Sequence, residues 1–260
     1  MLLKYTLDPT LKRTKLGEKD TKAGLLETFI LRNEDWPIVL QFLVNEFGTQ
    51  EPINHAFSLN PTDLIAGFQD QIINKWSSSE ASIVVLRDNQ LAAVIINWIV
   101  NIDQQKEYQP AVIRQDYSEI IKALRLEVDD YTTNFPIVGA VIDDLEQAVP
   151  YYIPDSDKFM RIDIVNVVKE FQGLGLARYL WSLALKMAKD LEVSYVESIC
   201  TAVATQKIAR SAGFTPVFAL PYGELKENGN NLLPRTLVDG SDSAHIMVKN
   251  LNQSENIRPS

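Results

Sequence analysis

The sequence predicts an α/β fold: a mixed central β-sheet flanked by helices, with a helical insert between a β-hairpin and the strand that enters a glycine-rich turn. Three observations carry this. Ile164-Val165-Asn166-Val167-Val168 is a mainly β-branched apolar run that stops at Lys169-Glu170, and Gly173 and Gly175 follow within five residues. After them Leu176, Leu180, Leu183, Met187 and Leu191 fall on one helical face. A further strand at 194–200 makes the strands on either side of this helix parallel neighbours, whereas 82–87 and 91–100 pair as an antiparallel hairpin across Asp88-Asn89-Gln90.

Taken in order, residues 1–23 are polar, rich in lysine and without a period, and read as an N-terminal arm; 24–251 read as one domain and 252–260 as a flexible tail. Residues 25–32 form the first strand. Asn33 or Asp35 caps a helix that starts near Pro37 and aligns Val39, Leu40, Leu43 and Phe47, with Gly48 as its stop and 51–54 as a turn. Asn60-Pro61-Thr62 opens a second helix whose Leu64, Phe68, Ile72 and Trp76 recur every four residues, a core stripe rather than a site. In the insert, 101–160, Tyr117, Ile120, Ile121, Leu124 and Val128 keep helical spacing, and 137–149 is a second short helix broken by Pro150 and Pro154. The chain then runs through a short helix at 202–211 stopped by Gly213, a strand at 214–220, a polar loop at 223–240 and a closing strand at 244–251.

Composition excludes several classes of function. The 260 residues carry a net charge of −9, which argues against nucleic acid or an anionic membrane as partner and is compatible with a cationic substrate. One cysteine excludes an internal disulfide, and with only two histidines a zinc site is not expected. The N-terminus lacks the apolar core of a signal peptide and no apolar run is long enough to span a bilayer, so a cytoplasmic protein is the default reading.

The glycine-rich turn carries the chemistry. It holds no carboxylate at the start of the following helix, so the first backbone N–H groups face a space suited to an anion such as a pyrophosphate, and Gly173 and Gly175 allow close approach. Two phosphate motifs fail: a Walker loop needs Gly-Lys-Ser/Thr, and a dinucleotide fingerprint needs a small residue where Arg178 stands. An ordinary structural turn is the plain alternative.

What fits is Gln-x-x-Gly-x-Ala at Gln172, Gly175 and Ala177, which resembles the acetyl-CoA pyrophosphate loop of the GNAT superfamily of N-acetyltransferases. The helix ending in Ala209-Arg210-Ser211-Ala212-Gly213-Phe214 is similar to a second segment of that superfamily, and the order of elements matches. Within it the chain resembles the invertebrate arylalkylamine N-acetyltransferases, which include insect dopamine N-acetyltransferase. Phe47 to Asn54 is similar to their Phe-x(n)-Glu-Pro-Leu-Asn, Phe171 to Ala177 to their Tyr-Arg-Gly-Leu-Gly-Ile-Ala, and Ile199-Cys200-Thr201 to their Leu-Cys-Ser. The likeness spans about 25–250.

The resemblance implies acetyl-CoA (or another acyl-CoA) as co-substrate, a small amine as acceptor, and no metal. It places the pyrophosphate on Gln172, Gly173, Leu174, Gly175, Leu176 and Ala177, and the pantetheine on the backbone of Val167 and Val168. It also implies a catalytic hydroxyl pair at Thr201 and Thr205, where the arylalkylamine group has serines, to relay a proton toward the thioester sulfur or to bind it. Ala209 departs from the many GNAT enzymes that place a tyrosine there to protonate the leaving thiolate.

An alkylammonium has a pKa of ~10, so acyl transfer at neutral pH needs a base. His55 and His245 stand outside matched positions; Glu51, in the segment similar to Phe-x(n)-Glu-Pro-Leu-Asn, is the better candidate, expected to face the cleft, pair with the ammonium and deprotonate it through a water. Each residue also has a plain reading: Glu51 as a solvated turn carboxylate, Thr201 as a helix cap, Thr205 as a donor to a preceding carbonyl, Cys200 as core packing. Three functions are compatible with the sequence: an arylalkylamine N-acetyltransferase, a GNAT enzyme for polyamines or another amine class, and a CoA-binding regulator without catalysis.

Overall fold

The computed structural model describes residues 5–127 and 134–252, so Val128 of the expected insert helix lies outside the described residues. The strands are β1 (Lys15–Thr21), β2 (Gly24–Ile30), β3 (Ile83–Arg87), β4 (Gln90–Asn101), β5 (Lys158–Val167), β6 (Tyr195–Cys200), β7 (Thr215–Pro221), β8 (Lys226–Glu227), β9 (Asn230–Asn231) and β10 (Ser243–Asn250). Eight form one sheet in the order β1-β2-β3-β4-β5-β6-β10-β7, and β8 and β9 make a small hairpin within the expected polar loop. Pairing is antiparallel throughout the large sheet except between β5 and β6.

The helices are α1 (Trp36–Phe42), a π-helical turn at Leu43–Phe47, α2 (Gly48–Gln50), α3 (Pro52–Ala56), α4 (Pro61–Asn74), α5 (Ser118–Glu127), α6 (Phe135–Ala148), α7 (Leu176–Asp190) and α8 (Val203–Ser211). Helix α4 starts where the sequence places it: Asn60 accepts from the backbone N–H groups of Thr62 and Asp63, and Asp63 reaches back to the N–H of Asn60.

On one face of the sheet, Leu180, Trp181 and Ala184 of α7 pack on Met160, Ile162 and Val196, and Trp181 meets Phe214 edge-on at 5.1 Å between ring centroids. Burial of side chains of this size stabilises the fold by roughly 1.5–3 kcal/mol each. The other face carries two apolar clusters. One gathers Trp36, Phe42, Leu43, Leu64, Phe68 and Ile164; the other gathers Ile53, Tyr117, Val141, Phe159, Tyr222 and Ile246. Residues 50–54 run from the first to the second, so their polar side chains lie along a seam.

Three expectations change. Residues 15–21, read as part of an arm, form the edge strand β1; exposed on one side, it carries one apolar residue, Leu16, and so shows no clear period in sequence. Gly48 does not stop its helix: it keeps right-handed helical angles, and a Cβ there would sit 2.4 Å from the Leu64 side chain, so the glycine permits close packing of α4. Residues 51–54, read as a turn, begin α3 with Glu51 as its cap.

Strands β5 and β6 pair only at Met160↔Val196 and Arg161↔Glu197. One step on, the Ser198 hydroxyl donates to the Ile162 carbonyl at 2.8 Å in place of a ladder bond. An irregularity in the β4–β5 register, where Ile96 faces Ile164 and Asn97 faces Ile162, accommodates Asp163 as an extra residue and bends β5. The two strands therefore diverge toward their C-terminal ends, where the glycine-rich turn leaves β5 and Thr201 follows β6.

Candidate active site

The turn has the geometry that its glycines imply. Gly173 and Gly175 have φ of +75° and +74°, the left-handed region that side chains disfavour, and nothing lies within 4 Å of where a Cβ of Gly173 would be. Gly175 stands at the start of α7, no side chain caps that end, and the first helical bond runs from the Tyr179 N–H to the Gly175 carbonyl. The N–H groups of the first turn are thus the donors a helix leaves without internal partners. Gln172 fixes the loop, its Nε2 donating to the Val167 carbonyl at 3.1 Å and to Gln50 at 3.2 Å. Leu174 accepts from Lys19 through its carbonyl, Leu176 is buried in the core, and Ala177 is partly buried in the first turn. An anionic phosphate fits this cradle. Gly175→Val is expected to abolish acetyl-CoA binding in calorimetry and, because of its φ, to cost about 1–3 kcal/mol of stability in thermal melts.

Val167 and Val168 differ. The Val168 N–H donates to the Ala92 carbonyl and is not left as a donor for a pantetheine amide, whereas its carbonyl accepts from the Phe171 N–H and keeps a second lone pair. Alternation along an antiparallel ladder turns Val167 the other way, and its N–H faces the side where β6 has diverged.

Glu51 is buried at the seam, with 9% of its surface exposed. One carboxylate oxygen, Oε2, accepts from the Asn54 N–H at 2.7 Å as the cap of α3. The other, Oε1, accepts from the Thr201 hydroxyl at 2.9 Å, which brings together two residues 150 positions apart. Burial pushes the Glu51 carboxyl up to about 7; the Asn54 N–H and the Thr201 hydroxyl hold it back, and the charge of Asp239 adds to the rise. The solvated reading of this residue does not describe it.

Thr201 is not the cap of α8. Ala202 holds the cap position, and the Val203 N–H donates to Asp239 Oδ2 at 2.8 Å, so a carboxylate from the polar loop does the capping. Tyr222 donates through its hydroxyl to the Thr201 carbonyl at 2.6 Å and fixes the backbone that presents Thr201 to Glu51. The Thr205 hydroxyl donates to the Ala202 carbonyl at 2.9 Å, its plain role. Sequence reasoning missed Tyr222 and Asp239, because both lie in or beside a loop with no period and act through backbone groups. Cys200 is wholly buried and burial pushes its thiol up to about 12, so it packs and does not attack. His55 is exposed, and His245 contacts the Ser243 hydroxyl at 3.0 Å while burial lowers its pKa. Ala209 is fully buried against the α7 side of the core.

Deeper, at the point where β5 and β6 part, lies a cluster of buried charge. Arg161 donates to Glu197 and Glu146, each at 2.6 Å, and Asp163 accepts from the indole N–H groups of Trp76 and Trp98 at 2.6 and 2.7 Å. Among the described residues no group of histidine, cysteine and carboxylate side chains is arranged to hold a metal, and no helix is long and apolar enough to cross a membrane.

No sequence-family profile and no curated sequence matches the chain. Solved structures do. Arylalkylamine N-acetyltransferase 2 from Aedes aegypti superposes with a TM-score of 0.67 at 21% identity, over 87% of this chain and 99% of that one. A Drosophila melanogaster polyamine N-acetyltransferase that forms N-acetylagmatine gives 0.62 at 13%, over 87% and 100%. A mosquito arylalkylamine N-acetyltransferase-like 5b gives 0.64 at 15%, over 87% and 100%. The fold is therefore that of the GNAT acetyltransferases. Within that fold the structures it resembles include arylalkylamine and polyamine N-acetyltransferases.

Proposed function

We propose that the protein moves an acetyl or longer acyl group from acyl-CoA to a primary arylalkylamine or similar small amine, by direct attack within a ternary complex. The observation that carries this reading is Glu51: a buried carboxyl with a pKa raised to about 7, hydrogen-bonded to the residue after β6, in a fold whose β5–β6 opening leads to a phosphate cradle. Acyl-CoA supplies the activated acyl group; the turn at 172–177 holds its pyrophosphate, and the Val167 N–H faces the opening in which its pantetheine lies. Glu51, ionised above its raised pKa, takes the proton of the bound ammonium and leaves the amine nitrogen its lone pair for attack on the acyl carbon. Thr201 orients Glu51 Oε1, and Tyr222 orients Thr201.

A buried alanine at position 209 removes the usual acid, which favoured a regulator without catalysis. A thiol of pKa ~8.5 is an acceptable leaving group as thiolate near neutral pH, so solvent protonation suffices and Ala209 does not silence the site. The acidic chain also suits polyamines. Amine-dependent thiol release from acetyl-CoA, run with tryptamine, tyramine, dopamine and spermidine, tests both points. Release with an arylalkylamine supports the proposal, release with spermidine alone moves the assignment to polyamines, and no release with any amine despite CoA binding leaves the regulator.

Thr201 and Thr205 divide unequally. Thr201→Val keeps the shape and removes the hydroxyl that holds the Glu51 pKa down, so the ionisation that limits kcat/KM should move to higher pH. Thr205→Ala removes only a bond within the first turn of α8, and its effect on turnover should be the smaller of the two. A pH–rate profile unmoved in Thr201→Val would count against Glu51 as the titrating group.

A further inference from the structure

We infer that Lys19, on the N-terminal hairpin, is a binding residue for the pyrophosphate of CoA, a role that rests on the acyl-CoA reading above. Gly17, Lys19 and Thr21 form the partly covered side of β1, in the two-residue alternation of a strand. Gly17 lies against α7: a Cβ there would come 2.8 Å from the Tyr179 hydroxyl, so the glycine lets β1 lie across the first turn of that helix without displacing the tyrosine. Two residues on, Lys19 lands at the glycine-rich turn. Its Nζ donates to the Leu174 carbonyl at 2.8 Å, sits 5.8 Å from the centroid of the Tyr179 ring, and lies 3.5 Å from where a Cβ of Gly175 would be.

Charge supports the same assignment. Among the described residues no carboxylate lies within ion-pair distance of Lys19, although it is half-buried. Lys15, on the exposed side of the same strand, contacts Glu18 and Glu27, both at 2.8 Å. In a protein with a net charge of −9, an unpaired ammonium held against a turn without carboxylates is the arrangement an anion completes. An ammonium has three donors, and the Leu174 carbonyl uses one. The other two, with the uncapped N–H groups of α7, can hold the same phosphate oxygens. The loop thus acquires its cation from a strand four places away in the sheet, across 155 residues of sequence.

The test is binding, measured by calorimetry on the full chain with CoA, 3′-dephospho-CoA and S-acetyl-pantetheine. Lys19→Gln keeps a donor for Leu174 and removes the charge. It should weaken CoA and 3′-dephospho-CoA alike, by roughly 10–100-fold, the worth of one charge-assisted bond, and leave S-acetyl-pantetheine, which lacks the pyrophosphate, as in wild type. Lys19→Arg should retain most of the wild-type affinity for CoA. Equal CoA affinity in wild type and Lys19→Gln overturns the inference, and a loss confined to CoA overturns the pyrophosphate in favour of the 3′-phosphate. If Lys19→Gln melts early without ligand, Lys19→Arg decides alone: a folded arginine variant that has lost CoA reduces Lys19 to a structural tether. Wild type that binds no CoA at all removes the acyl-CoA reading itself, an outcome separate from failure of Lys19 alone.

Discussion

Glu51→Gln is expected to lower turnover by roughly 10²–10⁴-fold at neutral pH while leaving CoA affinity nearly unchanged. The glutamine amide oxygen keeps an acceptor for the Asn54 N–H, and its NH2 group can donate to the Thr201 hydroxyl, whose bond reverses, so the substitution removes proton affinity more than shape. In wild type, kcat/KM should rise as Glu51 ionises through about 7, and the variant should lack that rise. The deficit should shrink toward the amine's own pKa of ~10, where solvent supplies the free amine. Stability should move the opposite way. The native pKa lies above the usual 4.5 of a glutamate, so the folded state holds this proton more tightly than the unfolded chain. That contribution is complete below the unfolded value and is lost as pH rises through about 7. Relative to wild type, Glu51→Gln should therefore melt higher at pH ~8 than at pH ~5. Wild-type turnover in the glutamine variant from neutral to alkaline pH would return Glu51 to a purely structural cap and leave the base unidentified.

Arg161→Leu is expected to destabilise the protein by about 3–5 kcal/mol, the usual cost of leaving buried carboxylates without their cation. Arg161 is almost wholly buried and is the common partner of Glu197 and Glu146. Burial pushes the Glu197 carboxyl up to about 7 and that of Asp163 to about 6, with Arg161 opposing both shifts. Without Arg161 those carboxyls should take up protons at still higher pH. The deficit in urea or thermal melts should then be smaller at pH 5 than at pH 8, since protonation removes the uncompensated charge. Adding Glu197→Leu should recover part of the loss, because replacing both partners avoids the orphan. An equal deficit at both pH values would mean that lost packing of the arginine stem, and not charge, is the cause.

Much of the architecture was legible because it rests on local pattern. The β3–β4 hairpin, the turn between β5 and α7, and the stripe of α4 all follow from periodicity and turn chemistry. Strand β1 was not legible, since an edge strand that buries little needs few apolar residues. The site divides in the same way. Gly173 and Gly175 announce themselves through conformations that other residues disfavour. The Glu51–Thr201 contact is a product of tertiary structure, and no local pattern reports that a carboxylate will be carried to the end of a strand 150 positions away. Resemblance pointed to both residues, but the cap role that the plain reading gave Thr201 belongs to Asp239, which only the folded loop brings to α8.

The π-helical turn at Leu43–Phe47 makes residue count, more than residue type, the sensitive variable of this part of the chain. The turn rests on β5 and leads through α2 to Glu51. Such a turn holds one residue more than the α-helical turn it replaces, and each residue rotates the downstream chain by about 100° about the helix axis. Shortening the segment by one residue would regularise the helix and still leave Leu43, Val44 and Phe47 their apolar character. It would also point the carboxylate elsewhere than at Thr201. Drift in the composition of this stretch is therefore tolerable where a change in its length is not, and an alignment that slides a gap into it misplaces the residue on which the chemistry depends.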